Sequence, residues 1–225
     1  MVSRIDWRAA YRIIPSLYPT VGIFESVADP ADLDAVVALE AATNPRVLDE
    51  AGELSMVRAE ERIAGPGTGA VMAAFTHTMP SRFSDGSYGV FYAAHDEATA
   101  IAETAYHRGR FLRDAGLRSE IVQMRVYRVR IDGRFDDIRA RSPRAAIYDP
   151  DSYGASQRYA RALYVKNAVD GIAFRSVRRR EGQCVAVFRP RRIRSCEVLR
   201  HLEYRFEAAR LSAVLAVEAR QTPSL

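Results

Sequence analysis

The chain has 225 residues, 48% of them apolar and 27% charged, the balance of an ordinary globular protein with enough length for one sizeable core. Its formal charge is +5, carried almost wholly by arginine, with Lys166 the only lysine. No stretch approaches the roughly 20 apolar residues that a membrane helix needs, and Met1 to Trp7 lacks the apolar run of a signal peptide, so the composition argues against a membrane-spanning chain and predicts a cytoplasmic one.

In chain order, residues 29–44 read as a helix, with Asp29 as its N-cap, Pro30 in its first turn and Asn44-Pro45 as its stop. Residues 46–69 are polar and predict a long loop with short helical pieces, and Ala70 to Thr78 a short buried helix. Tyr88 to Ala94 is apolar and aromatic and reads as a strand. A helix starts near Asp96, where Ala98, Ile101, Ala102, Ala105 and Tyr106 fall at helical spacing, and Gly116 is its stop. Residues 119–131 read as a long strand. Val122, Met124 and Val126 alternate on one face before Tyr127, Val129 and Ile131 take over, a change of phase that predicts a bulge near 126–127.

Further on, Ala155 to Ala168 is helical in pattern, and Gly171 to Val177 and Cys184 to Phe188 are strands. Cys196 to Phe206 predicts a last strand followed by a short terminal helix. The densest basic stretch, Arg175 to Arg194, reads as a solvated turn between two strands, with a polyanion site as the alternative. Strands and helices do not alternate regularly, which points to an α+β fold rather than a doubly wound sheet. The whole chain reads as a single domain, with a helical insertion at about 29–78 and a core at about 80–206.

Common catalytic signatures are absent: no G-x-G-x-x-G after a strand, no Walker loop, no G-x-S-x-G and no H-E-x-x-H. His77, His95, His107 and His201 lack ligand-like spacing and read as structural or surface residues. Cys184 and Cys196 do not form a CxxC pair and read as buried free thiols. The informative segment runs from Ser81 to Glu103. Arg82 precedes a Gly-rich turn, Tyr92 lies near the end of the following strand, and Glu103 sits about two turns into the next helix. This pattern allows a small polar pocket, and the pattern alone favours the simpler reading of an Arg–Glu salt bridge beside a core tyrosine.

The sequence "RFSDGSYGVFYAAHDEATAIAE" resembles the central motif of the RES-domain family, in which an arginine, a Gly-rich turn and strand with a tyrosine, and a helical glutamate follow in order. The earlier "YRIIPSLYP", with Arg12, resembles the family's opening arginine motif. "YGASQRYARAL" and "DGIAFRSVRRREGQCVAVFRP" resemble its third and fourth blocks. The serine of the third block falls on Gly154 here, leaving Ser156 and Ser176 as candidates for its place. Their simple structural readings are a first-turn helix residue and a strand residue bonded to backbone.

The resemblance implies a fold similar to mono-ADP-ribosyltransferases and cleavage of NAD⁺ at the nicotinamide–ribose bond. It implies catalytic roles for Glu103, Arg82 and Tyr92, substrate contacts from Arg12, Ser156 and Ser176, and NAD⁺ as substrate, with no metal and no further cofactor. Members of this kind are toxins encoded beside an antitoxin with an Xre-like helix-turn-helix, so nucleic acid is met only through that partner. Water, phosphate and a protein side chain all remain open as acceptor. A protein-modifying mono-ADP-ribosyltransferase is the nearest alternative, and a non-catalytic interaction domain or a nucleic-acid-binding protein a more distant one.

Overall fold

The computed structural model describes residues 1–17, 22–27, 29–44 and 46–217. Its first element is a strand, β1 (Val2–Pro15). Four helices follow: α1 (Ile23–Ser26), α2 (Leu33–Ala41), α3 (Arg46–Ala51) and α4 (Gly69–Thr76). Next come β2 (Phe91–Ala94), α5 (Glu97–Asp114), β3 (Glu120–Asp137), α6 (Gly154–Lys166), β4 (Gly171–Arg175), β5 (Gln183–Val187), β6 (Ile193–Glu207) and β7 (Arg210–Val217). The strands form one seven-stranded sheet in the order β1-β2-β5-β4-β3-β6-β7, with β1 also pairing β3. This is the mixed α+β fold that the element pattern implies.

Both faces of the sheet are covered. α1 to α4 close one face over Trp7, Phe91, Tyr127, Ile131 and Phe135. α5 and α6 close the other over Ile13, Met124, Val126, Ile172 and Phe174. The change of phase along β3 follows from this arrangement. Even-numbered residues face α5 and odd-numbered ones face the N-terminal helices, and burial passes from one set to the other at Val126 and Tyr127. The sequence expectation of a bulge there is met by a register shift, although the extra residue is on the partner strand: Val126 pairs Arg200 and Tyr127 pairs Val198, leaving Leu199 between them.

Asp29 caps its helical segment by accepting from the Ala31 N–H at 2.9 Å, ahead of a 3₁₀ turn at Pro30–Asp32 that leads into α2. The predicted stop at Pro45 lies outside the described residues. The polar segment after it is pinned by Arg62, which is 8% exposed. Arg62 donates to the carbonyls of Val57 and Leu54 and to Asp34 Oδ2 at 2.7 Å. α4 lies so close to the chain entering β2 that a Cβ on Gly89 would fall 2.2 Å from the Phe75 Cα.

Over the described residues that follow β6, a strand replaces the predicted terminal helix. Residues 210–217 form β7, which pairs with β6 from His201–Val217 to Glu207–Arg210. The Ala- and Leu-rich segment has high intrinsic helix propensity, and the turn before it contains neither Gly nor Asn. Ala208 and Ala209 take positive φ values of 48° and 54° instead, and pairing with β6 overrides the local preference. Among the described residues no helix is long and apolar enough to cross a membrane.

The sheet's weakest seam is the one that matters for function. β1 and β2 share a single register pair, Tyr11 with Ala94, whereas β1 pairs β3 along nearly its whole length. The loosely joined edges of β1 and β2 part beneath α5, and a cavity opens between them.

Candidate active site

The cavity has a volume of about 490 Å³, within the range usual for small-molecule sites. Arg12, Arg82, Tyr92 and Glu103, from β1, the loop before β2, β2 itself and α5, all line it. The structure thus brings together the four residues of the first two motifs. Among the described residues no ion pair joins Arg82 to Glu103, so the salt-bridge reading of that pair does not hold.

Glu103 is presented by α5, whose N-terminus is set by Asp96 accepting from the Thr99 N–H and hydroxyl, both at 2.8 Å. Ser176 donates its hydroxyl to Glu103 Oε1 at 2.5 Å. The Ser176 oxygen in turn accepts the backbone N–H groups of Arg178 and Arg179, each at 3.0 Å. Two N–H donors on the oxygen leave the hydroxyl proton free to point at the carboxylate, and they polarise it. Glycine at 182 permits this approach, because a Cβ there would meet Thr99 at 2.8 Å and the Ser176 Cβ at 3.0 Å. Of the two serine candidates, Ser176 is therefore the one that touches Glu103.

Ser156 is fully buried in the first turn of α6 and does not line the cavity. Its hydroxyl donates to the Arg82 carbonyl at 2.6 Å, so it fixes the arginine's backbone. Gln157 adds bonds to the carbonyls of Ser81 and Ser84. Gly154 opens α6, and a side chain there would meet only Arg158, at 3.4 Å. Arg82 itself is 8% exposed. Its Nη1 donates to the Asp149 carbonyl at 2.9 Å and the Ile147 carbonyl at 3.4 Å, and its guanidinium lies 4.7 Å from the centre of the Tyr153 ring.

Tyr92 is a framework residue at the cavity wall. Its hydroxyl accepts from the Phe83 N–H and pairs with Ser81 Oγ, both at 2.9 Å. Burial is the main cause that pushes its pKa up to about 12. Tyr92→Phe is expected to leave the Phe83 N–H unsatisfied and lower stability by about 1–3 kcal/mol, read as a fall in the urea midpoint. An unchanged midpoint would show that the hydroxyl carries none of the turn.

Arg12 bridges the open seam. It donates from Nη1 to the Tyr92 carbonyl at 3.2 Å and lies over the Phe91 ring at 4.5 Å. Burial pulls its pKa down, an effect that an anion beside it would oppose. Three polar atoms of the cavity residues are buried without a hydrogen-bond partner: Arg12 Nε, Arg108 Nε and Tyr153 Oη. Buried polar groups are ordinarily paired, and these three are also closed to the cavity.

Sequence reasoning missed several residues here. His107 lies one helical turn beyond Glu103 and lines the same cavity. Its ring, desolvated by the cavity wall and facing the cations Arg178, Arg82 and Arg110, has its pKa pushed down to about 4. The shift favours the neutral imidazole, although the residue as a whole is exposed. The i, i+4 spacing from Glu103 was the available signal. Cys184 also lines the cavity, and burial raises its pKa well above the usual thiol value, so it is a neutral thiol rather than a nucleophile. Both cysteines are free and buried, as expected.

The first part of the basic stretch does form a strand-to-strand turn, between β4 and β5, yet Arg175, Arg178, Arg179, Arg189 and Arg192 are all engaged by other residues. Arg178 sits over the Tyr106 ring, and Arg179 pairs with Asp96 at 3.3 Å. The turn is docked on α5, which is how Ser176 reaches Glu103. Among the described residues no cluster of His, Cys, Asp and Glu is arranged to hold a metal ion.

Comparison with known proteins identifies the family. The model of the RES domain family matches residues 59–207, well over half of the chain, and the chain belongs to that family. The match contains Arg82, Tyr92, Glu103, Ser156 and Ser176, while Arg12 precedes it. The chain is also 28% identical over 210 residues to uncharacterized protein y4oC of Sinorhizobium fredii (strain NBRC 101917 / NGR234), covering 92% of this chain and 87% of that one.

Proposed function

We propose that this RES-domain chain is a toxin-type enzyme that cleaves NAD⁺ at the nicotinamide–ribose bond, on a fold related to that of mono-ADP-ribosyltransferases. The observation that carries the reading is a single carboxylate, Glu103, which lines a cavity together with Arg12 and Arg82 and is held at 2.5 Å by Ser176 from behind that lining.

The chemistry suits this set of groups. When the glycosidic C–N bond breaks, its electron pair returns to the nicotinamide ring nitrogen, which loses its positive charge and needs no proton. Positive charge builds on the ribose as an oxocarbenium-like species. Glu103 faces that charge and stabilises it, and Ser176 fixes which carboxylate oxygen is presented. Arg82 and Arg12 supply planar cations to the pyrophosphate. Capture by water releases ADP-ribose and a proton, and capture by phosphate gives the ribose-phosphate adduct. Tyr92 holds the turn that carries Arg82.

An enzyme of this kind depletes its host's NAD⁺ unless restrained, which is the basis for expecting a co-encoded antitoxin with a helix-turn-helix. Expression of the chain alone is expected to lower cellular NAD⁺ and arrest growth, and co-expression of the neighbouring gene to restore both. Normal growth with undiminished NAD⁺ at a high level of soluble wild-type protein would count against the proposal.

A further inference from the structure

One stripe of α5 lines the cavity for three turns: Ala100, Glu103, Thr104, His107, Arg108 and Phe111. These positions follow the i, i+3, i+4, i+7 pattern of a single helix face. From Ala100 to Phe111 the stripe runs roughly 16 Å at 1.5 Å per residue. Glu103 therefore lies near one end of an elongated site, and Arg108 and Phe111 form the other, one to two turns further along.

That far end has its own chemistry. The Arg108 guanidinium lies over the Phe111 ring at 4.7 Å, and Phe111 is 54% exposed although it lines the cavity. Glu120 takes Arg108 Nη2 at 3.3 and 3.5 Å, which largely balances its charge. Arg108 Nε is buried and without a partner. A flat platform of balanced charge suits a neutral heteroaromatic ring better than a second phosphate.

We propose that Arg108 and Phe111 are a specificity-determining subsite for the distal base of a dinucleotide, so that the enzyme selects two joined nucleotide units over one. Phe111 supplies the stacking surface, and Arg108, lying against the Phe111 ring and tied to Glu120, holds that ring in place. The inference rests on the proposed cleavage of NAD⁺ and assigns the half of the substrate that does not react. Binding energy from that half acts at a distance from the broken bond.

The test compares NAD⁺ with nicotinamide mononucleotide, which has the same scissile bond and lacks the adenosine half. Nicotinamide release is measured for wild-type protein, Phe111→Ala and Arg108→Gln. Wild-type protein is expected to prefer NAD⁺. Phe111→Ala should lower kcat/KM for NAD⁺ about 5- to 100-fold more than for the mononucleotide, the scale of one lost base–aromatic stack. The loss should appear mainly in KM. Adenosine monophosphate should compete with NAD⁺ on wild-type protein and lose that potency on Phe111→Ala, which is read without any variant turnover of the mononucleotide. Equal losses on both substrates, or undiminished competition, would overturn the subsite while leaving the cleavage reading intact. A wild-type protein inert to both substrates would overturn the two together. Should Arg108→Gln fail to fold, the exposed Phe111 decides the matter alone.

Discussion

Arg82→Ala is expected to raise the KM for NAD⁺ about 10- to 100-fold while lowering kcat far less. A hydrogen bond to a charged group is worth about 1.5–3 kcal/mol, and contacts to the pyrophosphate exist before the transition state as well as in it, so their loss falls on binding. The arginine is aimed by three restraints: Ser156 on its carbonyl, the Asp149 and Ile147 carbonyls on Nη1, and the Tyr153 ring beneath it. Removing it also releases the 147–149 segment, so the melting temperature should fall as well. Arg82→Lys restores the charge without the planar fork and should recover only part of the affinity. A variant with normal KM and collapsed kcat would place Arg82 at the reacting bond instead.

Glu103→Gln should have the larger effect on turnover, about 10²–10³-fold or more in kcat, the scale of one lost electrostatic stabiliser. The change is nearly isosteric, and glutamine can still accept the Ser176 hydroxyl, so folding by circular dichroism should match the wild type. What disappears is the negative charge opposite the cationic ribose. Ser176→Ala offers a graded comparison, since it keeps the carboxylate and removes the donor at 2.5 Å. Equal turnover by wild type and Glu103→Gln would remove Glu103 from the chemistry.

Much of the fold was legible where local and tertiary preferences agree. The Asp96 cap and helical spacing mark α5, and Asp29 marks the start of the α2 segment. The strand at Phe91–Ala94 and the long β3 follow from aromatic and β-branched runs. Legibility failed where pairing overrides propensity. β7 mixes Ala and Leu with Val214 and Val217 and follows a turn through Ala208 and Ala209 that has neither Gly nor Asn. β1 hides its alternation behind a register shift between Trp7 and Ala10. The phase change in β3 was visible, although its cause, two differently covered faces, belongs to the tertiary fold.

The same division runs through the site. Arg82, Tyr92 and Glu103 could be chosen from the resemblance of one segment to the RES-domain motif, and the structure gathers them with Arg12 in one cavity. Their partners could not be chosen this way. The choice between Ser156 and Ser176 depends on how the β4–β5 turn docks on α5, a contact between residues 73 apart in sequence. The engagement of the Tyr92 hydroxyl by Ser81 and Phe83 likewise gives a support role to a side chain that also lines the cavity. His107 and Arg108 were open to discovery by extending the Glu103 stripe along the helix.

Nicotinamide release from NAD⁺ by purified wild-type protein, with and without phosphate, tests the central claim most directly. The account predicts catalytic release of nicotinamide with NAD⁺ as the sole organic substrate, accompanied by ADP-ribose or, with phosphate present, its phosphorylated form. NAD⁺ left intact by folded wild-type protein under both conditions would contradict it.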